Sequence, residues 1–67
     1  MSIAKHLEIT SDSPKSFEAA VQDGILRAAK TVKGIRSAWI KDQQVLVADN
    51  QVTTYRVNMK ITFVVED

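Results

Sequence analysis

The apolar and polar positions of this chain divide it into an alternating segment, a segment with helical spacing, and a longer alternating region. Over residues 3–10, Ile3, Leu7 and Ile9 fall on every second position or at multiples of it, a period typical of a strand with one buried face. A run of turn-forming residues from Thr10 to Pro14 follows and predicts the end of this first strand.

The second segment predicts an amphipathic helix, because apolar residues recur there at steps of three and four. These residues are Phe17, Ala20, Val21, Gly24, Ile25, Ala28 and Val32. Ser13, which precedes Pro14, and Ser16 are both candidates for the N-cap, and the sequence does not choose between them. Gly34 is the predicted helix stop. Gly24 costs about 1 kcal/mol relative to alanine in a helix, so we expect another element to pack closely against it.

Two further strands, about residues 36–47 and 52–66, are predicted on either side of a tight turn at Asp49 and Asn50. This turn places Trp39 opposite Lys60 and Ser37 opposite Thr62, and opposed residues share a sheet face. The face predicted to meet the helix holds Ala38, Ile40, Leu46, Tyr55, Val57, Met59, Ile61 and Phe63. The other face holds Ser37, Trp39, Lys41, Gln43, Arg56, Asn58, Lys60 and Thr62.

These elements predict one α+β domain of β-α-β-β order over residues 1–67, with the helix packed on one face of the sheet. So short a chain buries only about 60% of the surface that its unfolded form exposes. Small domains compensate with disulfides, a metal or assembly. The chain has no cysteine and a single histidine, which argues against disulfides and against a zinc site. Assembly into a closed homo-oligomer is therefore the predicted source of stability.

The charge balance limits the classes of partner that the protein is expected to bind. Nine basic and eight acidic residues give a net charge of +1, without the basic excess of a dedicated nucleic-acid binder. No apolar run reaches membrane-spanning length, and the first ten residues do not have the character of a signal peptide. We therefore expect a cytoplasmic protein that binds neither nucleic acid nor membranes.

Trp39, the only tryptophan, lies on the predicted polar face of the sheet, where the subunit's own core cannot cover it. Three interpretations stay open: a neighbouring subunit covers the ring, a ligand stacks on it, or it is simply exposed. An aromatic side chain buries about 150–250 Å², so covering it stabilises a complex by several kcal/mol.

The remaining polar residues do not form a catalytic pattern. His6 is interpreted as a partly exposed or interface residue, and Ser37 has no neighbouring histidine that would activate it, so we expect no enzyme activity. Three basic residues near the end of the helix, Arg27, Lys30 and Lys33, suit the negative end of the helix dipole, with an anion site as the alternative.

Four carboxylates are considered as metal ligands: Asp42, Asp49, Glu66 and Asp67. They do not have the spacing of a calcium-binding loop, although a metal at a subunit junction would leave no local motif.

The order of strand, Ser-Pro turn, long helix and long hairpin resembles the dodecin family, small flavin-binding proteins that form hollow dodecamers. Three stretches carry the resemblance along nearly the whole chain: residues 13–20 (SPKSFEAA), residues 27–32 (RAAKTV), and Thr54-Tyr55-Arg56-Val57 leading to Ile61-Thr62-Phe63. The resemblance implies a three-stranded antiparallel sheet wrapped by the helix on one face. It also implies a homododecamer with small-molecule ligands bound near three-fold axes on the faces without helices.

The resemblance implies an altered ligand site. The family's flavin-stacking tryptophan corresponds to Ser37, the glutamine that bonds the ring edge corresponds to Arg56, and a basic residue that serves phosphate binding in some members corresponds to Val64. Riboflavin or FMN is the leading ligand, bound more weakly because of Ser37 and Arg56. Trp39, two residues beyond Ser37, is a candidate replacement for the missing ring, and Arg56 a candidate partner for a carboxylate or phosphate.

The run from Ile35 to Ala38, which includes Arg36, together with Tyr55-Arg56 is similar to the family branch that lacks the flavin tryptophan, of which a calcium-binding type is known. The alternative function is therefore a flavin-free dodecamer that binds calcium at its interfaces or has a structural role. By family position, the candidate ligand-binding residues are Arg36, Ser37, Trp39 and Arg56.

Overall fold

The computed structural model describes residues 3–65, which form a helix and three strands in the predicted β-α-β-β order. The elements are β1 (Ile3–Ser13), α1 (Phe17–Ala28), β2 (Ile35–Ala48) and β3 (Gln51–Val65). β3 is the central strand, with β1 and β2 antiparallel to it on either side. The predicted α+β class and antiparallel sheet are confirmed, while Glu66, the predicted end of the last strand, lies outside the described residues.

β1 continues to Ser13, three residues beyond the predicted end at Thr10. Pairing with the central strand accounts for the extension, because Ser11 lies opposite Val57 and Ser13 opposite Tyr55 in the ladder. Ser11 Oγ also donates a hydrogen bond of 2.7 Å to the carbonyl of Ala20 in α1. Tertiary pairing thus overrides the turn preference of these serines.

The structure identifies the N-cap of α1 and places the end of the helix earlier than the sequence predicted. Ser16 is the N-cap, since its Oγ accepts a 2.9 Å hydrogen bond from the backbone N–H of Ala19. The helix ends at Ala28, earlier than predicted, and Gly34 is not its stop. Gly34 has a φ of 78°, and its carbonyl accepts a 3.0 Å hydrogen bond from the N–H of Val64. A Cβ at Gly34 would lie 2.6 Å from the Val64 carbonyl oxygen, so this glycine serves a close approach to β3.

A small core lies between α1 and the sheet. Among the described residues, the fully buried apolar side chains are Ala20, Val57, Met59 and Ile61, each 0% exposed. The predicted close packing at Gly24 is confirmed, because a Cβ there would lie 2.6 Å from Met59 Cε and 2.9 Å from Ser11 Cβ. The small number of buried side chains agrees with the thin core expected of so short a chain.

The hairpin turn is as predicted. Asp49 and Asn50 both have positive φ, 52° and 62°, as a type I′ turn requires. Ala48 lies opposite Gln51, and the predicted pairs Trp39 with Lys60 and Ser37 with Thr62 are confirmed.

Between those points the register shifts by one residue, at irregularities next to Leu46 and next to Ile40. As a result Leu46 lies opposite Thr54 and Gln43 opposite Val57, so each is on the sheet face opposite to the one predicted. The prediction assumed an unbroken ladder, and a β-bulge inserts one residue and reverses the faces beyond it.

We call the sheet surface turned away from α1 the helix-free face. Its residues include His6, Glu8, Thr10 and Asp12 of β1, Thr54, Arg56, Asn58, Lys60 and Thr62 of β3, and Ser37, Trp39, Asp42, Gln44 and Leu46 of β2.

Candidate functional site

Trp39 lies on the helix-free face in a cross-strand row of three residues. Lys60 of the central strand has Glu8 on one side and Trp39 on the other. Trp39 is 70% exposed, the largest exposed fraction among the large apolar residues of the described part of the chain. The row therefore presents an open aromatic ring beside a lysine.

Glu8 forms its ion pair outside this row. Lys41, at the register irregularity of β2, donates a 2.9 Å hydrogen bond to Glu8 Oε1. This hydrogen bond holds the pKa of Glu8 below its ordinary value of 4.5 and raises the pKa of Lys41. Both side chains are about half exposed, so the pair contributes little to stability and mainly orients the two charges.

Arg56 and Asp12 form a bidentate ion pair. Arg56 Nε donates to Asp12 Oδ1 at 2.8 Å and Nη2 donates to Oδ2 at 3.0 Å. These hydrogen bonds lower the pKa of Asp12 and raise the pKa of Arg56. Because Asp12 uses two guanidinium nitrogens, an incoming phosphate or carboxylate would have to compete for them.

Hydrogen bonds outside the ion pairs connect further side chains of the face. Thr10 Oγ1 donates to Asn58 Oδ1 at 2.7 Å, and Asn58 Nδ2 donates to Asp42 Oδ1 at 2.6 Å. A 2.9 Å hydrogen bond joins His6 Nδ1 and Thr62 Oγ1, and His6 is exposed in the single subunit. Asn58 thus orients Asp42, one of the carboxylates considered for a metal.

The predicted ligand-binding residues do not form one cluster within a single chain. Ser37 and Trp39 share the helix-free face, whereas Arg56 lies four residues from Lys60 along β3, about 13 Å from the Trp39 row at the usual rise per residue. Arg36 lies at the register irregularity near the start of β2 and lines an open recess of about 310 Å³ with Lys33, Gly34 and Val64. Any site that uses all four residues would need more than one subunit.

Residues 3–65 contain no group of three or more His, Asp or Glu side chains placed to hold a metal ion. Asp42 accepts the Asn58 hydrogen bond, and Asp49 lies in the hairpin turn. Glu66 and Asp67, the other two carboxylates considered, lie outside the described residues. Over the same described range, α1 is too short and too polar to cross a membrane.

Sequence reasoning missed the roles of Glu8 and Asp12, which pair with Lys41 and Arg56. For Asp12 the signal was an opposite charge at the facing position of β3, which becomes readable only when β1 is paired with β3. Glu8 faces Lys60 and reaches Lys41 of β2 across the central strand, so its partner depends on the order of all three strands. Asp12 had in addition been placed in a turn, outside any strand.

Residues 3–66 match the dodecin family model. The calcium dodecin of Mycobacterium tuberculosis strain H37Rv is 33% identical over 63 residues, which cover 94% of this chain and 89% of that protein.

Solved structures of dodecins have the same fold. A variant of the Thermus thermophilus dodecin superposes with a TM-score of 0.93 and 25% identity over 100% of both chains. The Streptomyces davaonensis dodecin has a TM-score of 0.94 and 23% identity over 98% of this chain and 97% of that one, which supports the fold alone. The crystal structure of the calcium-chelating M. tuberculosis calcium dodecin, with its novel calcium-binding site, has a TM-score of 0.82 and 31% identity over 91% and 87% of the two chains.

Proposed function

The chain belongs to the dodecin family, and from that premise we propose that it is a non-enzymatic subunit of a homododecameric shell that binds and sequesters a small ligand, by family riboflavin or FMN. The single observation that carries the ligand part is the open ring of Trp39 on the helix-free face. A planar ring system stacked on this indole would bury apolar area and add about 0.5–1.5 kcal/mol from ring geometry.

The hairpin supports assembly. β1 pairs with β3 only as far as Tyr55, so the end of the hairpin is a ribbon of two strands without a third neighbour. Two apolar side chains on it are largely open, Val47 at 60% and Val52 at 48% exposure. An isolated two-stranded ribbon is marginally stable in water, and docking on neighbouring subunits would cover it.

Flavin binding is expected to be weak because of two residues. Ser37, at the position of the family's stacking tryptophan, has no ring, and Arg56, at the position of the ring-edge glutamine, is engaged by Asp12. Trp39 is displaced by two residues along β2, about 7 Å, so its contact with a flavin differs from the family arrangement.

Calcium is the second candidate ligand, and the observation that favours it is the 33% identity to a calcium dodecin. Calcium takes six to eight oxygen ligands, so a site would have to collect carboxylates from several subunits around a symmetry axis. Asp42, exposed on β2 and oriented by Asn58, is the described carboxylate best placed to contribute.

The test of the proposal is a flavin titration of the assembled protein, with light scattering to establish that the particle contains about twelve subunits. We expect weak quenching of riboflavin fluorescence by the wild type, tighter binding by Ser37→Trp, and a further gain when Arg56→Gln is added. Loss of wild-type quenching in Trp39→Ala would identify Trp39 as the stacking residue.

Two outcomes would contradict the proposal. A stable folded monomer in light scattering would remove the shell. Absence of flavin quenching in every variant would remove flavin, and equilibrium dialysis against calcium, with magnesium as the matched control ion, would then test the second candidate.

A further inference from the structure

The ion pairs of the helix-free face leave one lysine without a partner. Lys41 pairs with Glu8, and Arg56 pairs with Asp12. Lys60 is a direct neighbour of Glu8 in the ladder, yet within residues 3–65 its side chain makes no ion pair or hydrogen bond. The charge of Lys60 also lowers the pKa of Glu8, but by less than the hydrogen bond from Lys41 and the charge of Lys41 do.

Lys60 and Trp39 lie side by side on the helix-free face. Lys60 is half-buried in the central strand, and Trp39 is its cross-strand partner on β2. The Cβ atoms of directly opposed residues lie about 4.5–5.5 Å apart on one sheet face, so the flexible lysine side chain is long enough to bring its ammonium to a group that lies on the indole. An aromatic surface and an unpaired cation therefore occupy adjacent positions.

We propose that the Trp39–Lys60 row is a binding site for a planar aromatic group that carries an anionic substituent, with Lys60 as the residue that selects the anion. This inference rests on the proposed function and narrows its ligand to one chemical class. Trp39 supplies the stacking surface, and Lys60, half-buried in the central strand, supplies the cation. Arg56 lies about 13 Å from this row along β3, and Asp12 holds two of its nitrogens.

The first experiment compares riboflavin with FMN, which share a ring system and differ by a phosphate, in titrations of the assembled protein. We expect the wild type to bind FMN about three- to tenfold more tightly, as a partly exposed ion pair of good geometry allows. Lys60→Gln should lower the ratio of FMN affinity to riboflavin affinity to about one. The matched control is Lys5→Gln, on the opposite sheet face, which should keep the preference.

A second variant tests the charge pairing itself. Lys41→Gln removes the partner of Glu8, which then becomes available to Lys60 in the neighbouring strand. We expect this variant also to lose most of the FMN preference, although Lys41 is not part of the row. A preference that persists in Lys41→Gln would contradict the inference that Lys60 selects the anion because it is unpaired.

A second pair of ligands separates the two proposals. Binding of 2-naphthalenesulfonate and of the neutral 2-naphthalenemethanol is measured by equilibrium dialysis in wild type and Lys60→Gln. If flavins fail to bind while the sulfonate binds better than the alcohol through Lys60, the flavin proposal falls and the Trp39–Lys60 site stands. If riboflavin and FMN bind equally, the flavin proposal stands and the anion site falls.

Two results would overturn the site outright. One is failure of both ligand pairs to bind the assembled protein, which would also remove flavin. The other is an indole fluorescence that iodide cannot quench in the assembly, since a second copy of the chain would then cover Trp39.

Discussion

Gly24 lacks a side chain because two neighbours occupy the space that one would need. Met59 Cε and Ser11 Cβ would lie 2.6 Å and 2.9 Å from an added Cβ. The glycine lets α1 lie closely over β1 and β3, and it places the carbonyl of Ala20 within 2.7 Å of Ser11 Oγ. Glycine has a low intrinsic helix propensity, but the close packing of α1 on the sheet requires it at position 24.

Gly24→Ala should therefore destabilise the protein, although alanine is the better helix former by about 1 kcal/mol. Overpacking a filled site costs about 1–3 kcal/mol, and the Ser11 Cβ belongs to a strand that cannot move aside as the Met59 methyl can. Urea unfolding at one fixed subunit concentration measures the change. Gln22→Ala, at an exposed position of the same helix, is the control and should be near neutral. A gain in stability for Gly24→Ala would show that α1 packs less closely than the structure has it.

The Asp12–Arg56 pair predicts a pH dependence with a definite sign. Hydrogen bonding by Arg56 lowers the pKa of Asp12 below its ordinary value of 3.8, so the folded state binds this proton less readily than the unfolded state. The pair's contribution is fully present above that ordinary value and is lost as the pH falls through the lower folded pKa. Between about pH 5 and pH 2, the Tm of the wild type should fall more than that of Asp12→Asn. Asp23→Asn, an exposed helix residue, should follow the wild type.

Strand β3 organises the sheet because its two faces have different neighbours. Val57, Met59 and Ile61 face α1 and are fully buried, while Asn58, Lys60 and Thr62 alternate with them on the helix-free face. The core and the candidate ligand surface are therefore built from one strand in one register. A slip by one residue would exchange the two sets.

Ile61→Ala should destabilise the fold by about 2–5 kcal/mol, as truncation of a buried side chain does. Phe63→Ala should fall in the same range toward the lower end, because Phe63 is half-buried. Thr62→Ala is the matched control between them, and it removes only the exposed hydrogen bond to His6. Chemical unfolding monitored by circular dichroism gives all three values. Equal losses at positions 61 and 62 would disprove the assignment of faces.

The isolated subunit is elongated, with principal extents of 52 × 20 × 14 Å over the described residues. Its buried core is confined to the region where α1 covers the sheet, and the hairpin end extends beyond β1. The open apolar side chains are distributed over several elements. They include Ile3, Leu26, Trp39, Val47 and Val52. An extended subunit with a small core and apolar residues on several sides suits a closed assembly better than a monomer.

Assembly predicts a melting temperature that rises with protein concentration. If unfolding is coupled to dissociation, mass action stabilises the folded particle as the subunit concentration increases. Differential scanning fluorimetry over a hundredfold range of concentration, with refolding checked after each melt, measures the effect. A Tm that stays constant while dissociation is reversible would show that the subunit is stable without its neighbours.

The sequence alone determined the features that depend on local chemistry. Period-two alternation and three-to-four spacing identified the strands and the helix, and Asp49-Asn50 identified a turn whose two residues tolerate positive φ. The length and the lack of cysteine pointed to assembly, and residue patterns along nearly the whole chain indicated the dodecin family. The spacings and the turn are signals within a few neighbouring residues, while the composition and the family pattern extend along the chain.

Tertiary structure decided what depends on pairing between distant segments. The bulges of the hairpin, which moved Leu46 and Gln43 to the other faces, depend on how β2 fits β3 over its whole length. Gly34 proved to serve contact with Val64, thirty residues later, and not the end of the helix. The charges of the helix-free face followed the same rule, because Glu8 and Asp12 acquire their partners only when β1 lies beside the central strand. Because Glu8 and Asp12 pair with Lys41 and Arg56, Lys60 has no ion-pair partner among the described residues and lies beside Trp39. This arrangement depends on how the strands pair and cannot be read from any local stretch of sequence.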